Sequence, residues 1–164
     1  MNNSKRPLTP EQAMNRAAAL CARSEQAPGD ISEKLMRWGL SASDAARVIG
    51  QLTEQGFLDE KRYARAFIKD KFAFNGWGRI KLAFQLRQKG ITAEVIDDAM
   101  SEIDDERYRE RLVDILTAKW RTVKDRETRA AWAAMMRYAA SRGFETTIAI
   151  ECIKQVTNTD VDEG

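Results

Sequence analysis

The sequence predicts an all-α protein: three tandem three-helix repeats forming an elongated, curved helical array. Three observations carry this. All three prolines, Pro7, Pro10 and Pro28, lie near the start, leaving long proline-free segments with apolar residues at i, i+3, i+4 and i+7. No segment sustains the alternation of a half-buried strand. Glycines 39, 90 and 143 head a recurring register.

Taken in order, the helix signals are local. "TPEQ" at Thr9–Gln12 offers a Thr N-cap, a Pro at the first helical position and a Gln at the third. "DISE" at Asp30–Glu33, "SASD" at Ser41–Asp44 and "TAE" at Thr92–Glu94 are similar starts. Amphipathic segments run over Lys61–Phe74 and Arg79–Lys89, and another begins at Arg107 with "RYRERLVDILTAKW". Glycines 39, 56, 90 and 143 are C-terminal stops.

Aligning Gly39, Gly90 and Gly143 exposes the repeat. An apolar residue follows each: Leu40, Ile91 and Phe144. Leu35, Leu86 and Ala139 precede them by one helical turn; Val48, Ala99 and Cys152 follow, then Ile49, Met100 and Ile153, then Leu52, Ile103 and Val156. A period near fifty residues holding about three helices reads as an array in which each unit covers its neighbour's apolar face. The expected divisions are a flexible tail at 1–8, repeats at 9–55, 56–104 and 105–157, and an acidic disordered tail at 158–164 ending in "DVDEG". The third repeat carries a longer connection around "RTVKDRETR". The register makes Cys152 a core residue. Trp132 is expected in the core and Trp38 partly exposed.

Composition narrows the chemistry. There is no histidine, so neither a Ser-His or Cys-His pair nor histidine-ligated zinc can form. Two cysteines give no metal-ligand spacing and no disulfide framework. Apolar runs such as "AAALCA" fall far short of the ~20 residues of a membrane span, and no apolar stretch follows Lys5 and Arg6 as in a secretory signal. The expectation is a cytoplasmic monomer without catalytic residues, cofactor or metal.

Charge is unevenly distributed. Lys61 to Lys89 holds nine basic residues against Asp70 alone, a net +8; Gly90 to Ala118 is net −6 and Lys119 to Arg142 net +5. On the Lys61–Phe74 helix, Arg62, Arg65 and Lys69 fall on one face, with Tyr63, Phe67 and Phe74 expected opposite. On Arg79–Lys89 the expected apolar arc is Ile80, Leu82, Ala83, Phe84 and Leu86, and the expected outer arc Lys81, Gln85, Gln88 and Lys89. Exposed helices ordinarily mix Glu with Lys for i,i+4 support; two helices without it point to an anionic partner, either nucleic-acid phosphate or an acidic protein surface. "NGWG" at Asn75–Gly78 has no preceding strand, no third glycine and no Lys-Ser/Thr, so it is not a nucleotide cradle. Trp77 is expected to staple the following helix.

"GFLDEKRYARAFIKDKF", then "GRIKLAFQLRQKGI" and "VIDDAM", resemble the central motif of RecX, the bacterial regulator of the RecA recombinase. The matching residues are Gly56, Phe57, Leu58, Asp59, Arg62, Tyr63, Ala64, Gly76 or Gly78, Ile80, Leu86, Lys89, Gly90 and Ile91, and "RGF" at Arg142–Phe144 matches the closing motif. The resemblance covers about Thr9 to Val156. Glu60 departs from the usual second Asp, and Phe84-Gln85 replaces the usual glutamate. The resemblance implies three three-helix units and a non-enzymatic protein that binds the RecA–single-stranded DNA filament, with inhibition the expected effect, in recombination, DNA repair and the SOS response. Expected contacts are Arg62, Arg65, Lys69, Lys81, Gln85 and Lys89, with Arg129, Arg137 and Arg142 added from the third repeat. The alternatives are a module binding single- or double-stranded DNA directly, without RecA, and a scaffold for another acidic protein.

Overall fold

The computed structural model describes residues 6–162, with side chains described through Asn158. Residues 1–5 of the expected N-terminal tail and 163–164 of the acidic tail lie outside them. Among the described residues there are nine α-helices and no strand: α1 (Pro10–Arg23), α2 (Pro28–Arg37), α3 (Ala42–Glu54), α4 (Glu60–Asp70), α5 (Arg79–Gln88), α6 (Ala93–Met100), α7 (Asp105–Trp120), α8 (Arg129–Ser141) and α9 (Thr146–Asp162). The helix α9 thus enters the segment expected as an acidic tail. The chain condenses into two compact units that cut across the middle repeat. The first holds the described residues to Phe67 with Leu86–Asp97; the second holds Ile68–Gln85 with those from Asp98 onward.

In the first unit, α1, α2 and α3 pack on one another. Their core is Ala13, Ala17, Ile31, Leu35, Leu40, Ala45, Val48, Leu52 and Leu58. Thr9 and Gln12 form a reciprocal capping box on α1, and the Ser41 hydroxyl accepts the Asp44 N–H at 3.1 Å to cap α3. The helix α2 starts earlier than the expected Asp30: Pro28, pre-set for a first-turn φ, follows Ala27 at the N-cap. The stretch Gly56–Asp59 is a turn. Gly56 takes φ +80°, Phe57 N–H returns to the Leu52 carbonyl at 2.8 Å, Leu58 is buried, and the Asp59 carboxylate accepts the Arg62 N–H at 3.1 Å to start α4. These four residues, part of the motif quoted above, end one helix and begin the next.

The second unit packs α7, α8 and α9 together around Tyr108, Leu112, Leu116, Met135, Phe144 and Ile153, all fully buried. Cys152 is buried too, and burial pushes its thiol up from 9.0. Trp120 is buried, whereas Trp132, expected in the core, is 37% exposed. Ala131, Met135 and Ala139 turn inward from α8 at i, i+4 and i+8, and Trp132 sits one position off that line. The longer connection of the third repeat lies at residues 121–128, closed by the Thr128 hydroxyl accepting the Ala131 N–H at 3.1 Å.

The register is visible as one repeated turn. Leu40, Ile91 and Phe144 donate their N–H back to the carbonyls of Leu35, Leu86 and Ala139, each at 3.1 Å, and the preceding glycines have φ of 101°, 84° and 88°. Each turn is also covered by an earlier stretch of chain. Within the first unit, Leu8 N–H donates to the Trp38 carbonyl at 2.9 Å and Gly29 N–H to the Lys89 carbonyl at 3.0 Å; within the second, Gly78 N–H donates to the Arg142 carbonyl at 2.7 Å. The approach is close enough to exclude a side chain. A Cβ on Gly29 would lie 2.6 Å from the Lys89 oxygen, and one on Gly78 2.5 Å from the Gly143 oxygen.

Candidate functional site

The chain from α4 into α5 gathers most of the features that composition singled out. Asp70 ends α4, and the helix widens into a π-helical turn, Lys71–Asn75, that stops at Gly76 with φ +66°. Widened turns break the regular ladder and release carbonyls. Arg111 of α7 takes up two, donating from Nε to the Phe72 carbonyl at 3.2 Å and from Nη2 to that of Ala73 at 3.0 Å. Phe72 points inward and stacks on Tyr108, centroids 5.8 Å apart. Phe74, expected inside, is 81% exposed.

Beyond the turn, Trp77 is half-buried and has two ammonium groups over its ring, Lys71 Nζ at 5.4 Å and Lys81 Nζ at 4.7 Å from the centroid. The first residues of α5 are pinned by a polar cluster that the sequence did not reveal. Tyr108 is fully buried; its hydroxyl accepts the Arg79 N–H at 2.9 Å and donates to Glu145. The Arg79 guanidinium lies 3.9 Å from the Tyr108 ring centroid and reaches Glu145 at 3.1 Å and Asp105 at 2.6 Å. Burial, and then the hydrogen bond to Glu145, hold the Tyr108 phenol well above its ordinary value. The cluster fixes the rotation of α5.

That rotation splits the expected apolar arc of the helix, burying Leu82 and Leu86 as expected but turning Ile80 and Phe84 outward. Leu82 and Leu86 are fully buried, while Ile80 is 55% and Phe84 52% exposed. Lys81, Gln85 and Lys89, expected outermost, are half-buried; Gln88 is exposed. The reason is angular. Leu86 is fixed inward by the turn at Gly90, Leu82 lies one turn earlier, and two residues along a helix is a rotation of roughly 200°, so Phe84 and Ile80 must point out. The register contained this signal.

The expected contact residues separate into groups. On α4, Arg62 and Arg65 in the first unit, and Lys69 in the second, are exposed. Arg62 is not uncompensated, however: it holds Glu25 at 2.5 Å, Asp59 at 3.9 Å and the Gly56 carbonyl at 3.1 Å. Lys89 likewise holds Asp30 at 3.1 Å, and that hydrogen bond raises its pKa from 10.5. The acid-free face read from the sequence therefore fails at both positions, because carboxylates from the first repeat fold onto them. Lys81 is packed by its own backbone: a Cβ on Gly143 would lie 2.3 Å from Lys81 Cβ. Arg129 and Arg137 are exposed on α8, Arg129 in the first turn, where the helix dipole disfavours a cation. Arg142 is half-buried, with its Nε buried and unpaired and its guanidinium 5.8 Å from the Tyr138 ring centroid.

Among the described residues no helix is long and apolar enough to cross a membrane. A family profile described as RecX, second three-helix domain, matches residues 59–100. The regulatory protein RecX of Clostridium beijerinckii is 30% identical over 136 residues, 82% of this chain and 63% of that protein. That of Mycobacterium sp. (strain JLS) is 27% identical over 154 residues, 90% of this chain and 82% of that protein. The chain thus spans less than two thirds of the length of its clostridial relatives, 63% and 60% in two of them. A crystal structure of RecX from Lactobacillus salivarius superposes with a TM-score of 0.76 at 17% identity, over 90% of this chain and 96% of the other. A second RecX crystal structure gives 0.77 at 20%, over 89% and 73%. These two likenesses carry the tandem three-helix fold, and the sequence relatives carry the kinship: the chain belongs to the RecX family of regulatory proteins.

Proposed function

We propose that this chain is a cytoplasmic, monomeric, non-enzymatic regulator of RecA. It binds the RecA–single-stranded DNA filament and damps its ATPase and strand-exchange activities, with the sequence repeats 9–55, 56–104 and 105–157 as its building units. The observation that carries the reading beyond kinship is the set of exposed basic side chains, Arg65 and Lys69 on α4 with Arg129 and Arg137 on α8. Exposed surface cations favour an anionic partner and speed its encounter. Arg65, Lys69, Arg129 and Arg137 are the basic side chains proposed to meet it; Arg62 and Lys89 serve first to hold the first unit together, and Lys81, Gln85 and Arg142 stand at the margin.

The test is the single-strand-dependent ATPase of RecA with and without this protein. Inhibition that weakens in R65E/K69E supports the reading; an unchanged rate at saturating protein refutes it. A second reading, direct DNA binding without RecA, draws on Phe74, an exposed aromatic near Lys69 and Lys71 in the sequence. Under that reading bare and RecA-coated strands bind alike, and affinity falls by roughly 0.7 log units per log salt for each contacted phosphate.

A further inference from the structure

Three of the six large apolar side chains exposed among the described residues fall between Phe74 and Phe84. Two of them, Ile80 and Phe84, stand at i and i+4 on the outside of α5 and so form one continuous face. The inward side of the same helix is already apolar and buried, through Leu82 and Leu86. A surface helix normally carries one apolar stripe, and apolar residues on both sides mark a helix that is covered on both. About half of each outer side chain is left exposed. Nothing in helix formation asks for them, because Glu or Lys at those positions would add i,i+4 support.

We propose that the outer face of α5, centred on Ile80 and Phe84, is a docking surface for an apolar protein segment rimmed by carboxylates. This rests on the regulatory reading above: the face is where the chain grips RecA protein rather than filament DNA. Charge selects the rim. Within Ile68–Gln85 the cations are Lys69, Lys71, Arg79 and Lys81, and the sole acid, Asp70, lies 3.9 Å from Lys71. Arg79 is consumed by Asp105 and Glu145. Lys81, beside Ile80 in the chain, and the net positive charge of this stretch favour a partner that carries acidic residues next to its apolar centre, the usual arrangement of a protein interface with a dry core and a charged rim. Side-chain chemistry selects protein over nucleic acid. Ile80 has no π face on which a base could stack. An Ile-Phe pair at helical spacing suits the apolar side chains of another protein.

The experiment measures binding of the full chain to RecA filaments on single-stranded DNA, and to the bare strand, across a salt series. The variants are I80S/F84S and F84A; circular dichroism and thermal unfolding check that each folds, and F84A alone carries the test if the double variant does not. The expected result is filament binding at least tenfold weaker in I80S/F84S, a smaller loss in F84A, an unchanged salt slope and unchanged bare-strand binding. Wild-type filament affinity in either folded variant overturns the proposal while leaving the regulatory reading in place. Equal loss on the bare strand overturns it in favour of base stacking. Wild-type dimers that the variants dissolve overturn it in favour of self-association. A wild-type chain that neither binds the filament nor alters RecA activity refutes the regulatory reading, and this proposal with it.

Discussion

Replacing Tyr108 with phenylalanine isolates the hydroxyl that pins the start of α5. The ring contacts survive the substitution: Phe72 at 5.8 Å, Phe144 at 5.2 Å and the Arg79 guanidinium at 3.9 Å between centres. Lost are an acceptor for the Arg79 N–H and a donor to Glu145. An orphaned N–H costs about 1 kcal/mol and a hydrogen bond to a charged group about 1.5, reduced because Glu145 still holds Arg79 and is partly reached by water. The sum is about 2 kcal/mol, or amide exchange roughly 30-fold faster wherever exchange requires opening of the second unit. Hydrogen exchange of Leu112 and Met135 should show it, with Leu35 and Leu52 of the first unit unaffected. Acceleration below about threefold at Leu112 would refute the assignment of the hydroxyl as a structural pin. The pH dependence adds a second check. Folding raises the phenol above its ordinary 10.0, so its stabilising contribution is complete below that pH and declines as pH rises toward the folded value. The phenylalanine ring of the variant titrates nothing, so the wild-type advantage of about 2 kcal/mol should vanish within roughly 1.5 pH units above 10.

Gly143→Ala meets both a φ of +88° and a Cβ position 2.3 Å from Lys81 Cβ, so a loss of more than about 2 kcal/mol is expected in chemical denaturation. Asp30→Asn breaks a pair about one-third exposed on each side and should cost under about 1 kcal/mol, the same measurement separating the two classes of site. At pH 8 a thiol reagent should modify Cys21, which is only partly buried, well before Cys152, whose labelling should follow the rate of local opening; equal rates would contradict the burial of Cys152.

The parts of the fold that were legible in the sequence are those written locally. A glycine forced to positive φ, with an apolar residue four positions before it and another directly after, specifies its turn whatever lies around it, which is why Gly39, Gly90 and Gly143 aligned three turns and placed Leu35, Leu86 and Ala139 in the core. The candidate site was less legible because its features depend on partners far along the chain. Arg62 finds Glu25 and Lys89 finds Asp30, and no periodicity links those positions. The ten residues of α5 are apolar on two sides, so an arc drawn through all of them has no preferred direction. Its orientation is set instead by Gly78 against Gly143 and by Arg79 on Tyr108.

The three covered turns have a consequence for how such a chain can change. Gly39 and Gly143 are constrained twice, by their own backbone angle and by a foreign atom where a Cβ would stand, Pro7 in one case and Lys81 in the other. A substitution at either therefore cannot be rescued by relaxing one constraint alone. The Trp38 carbonyl, moreover, is already taken by Leu8. Any duplicated helix start brought to that turn would have to evict a proline and a leucine before it could bond there. Lengthening the array by duplication at that turn therefore needs displacement of the segment that already covers it.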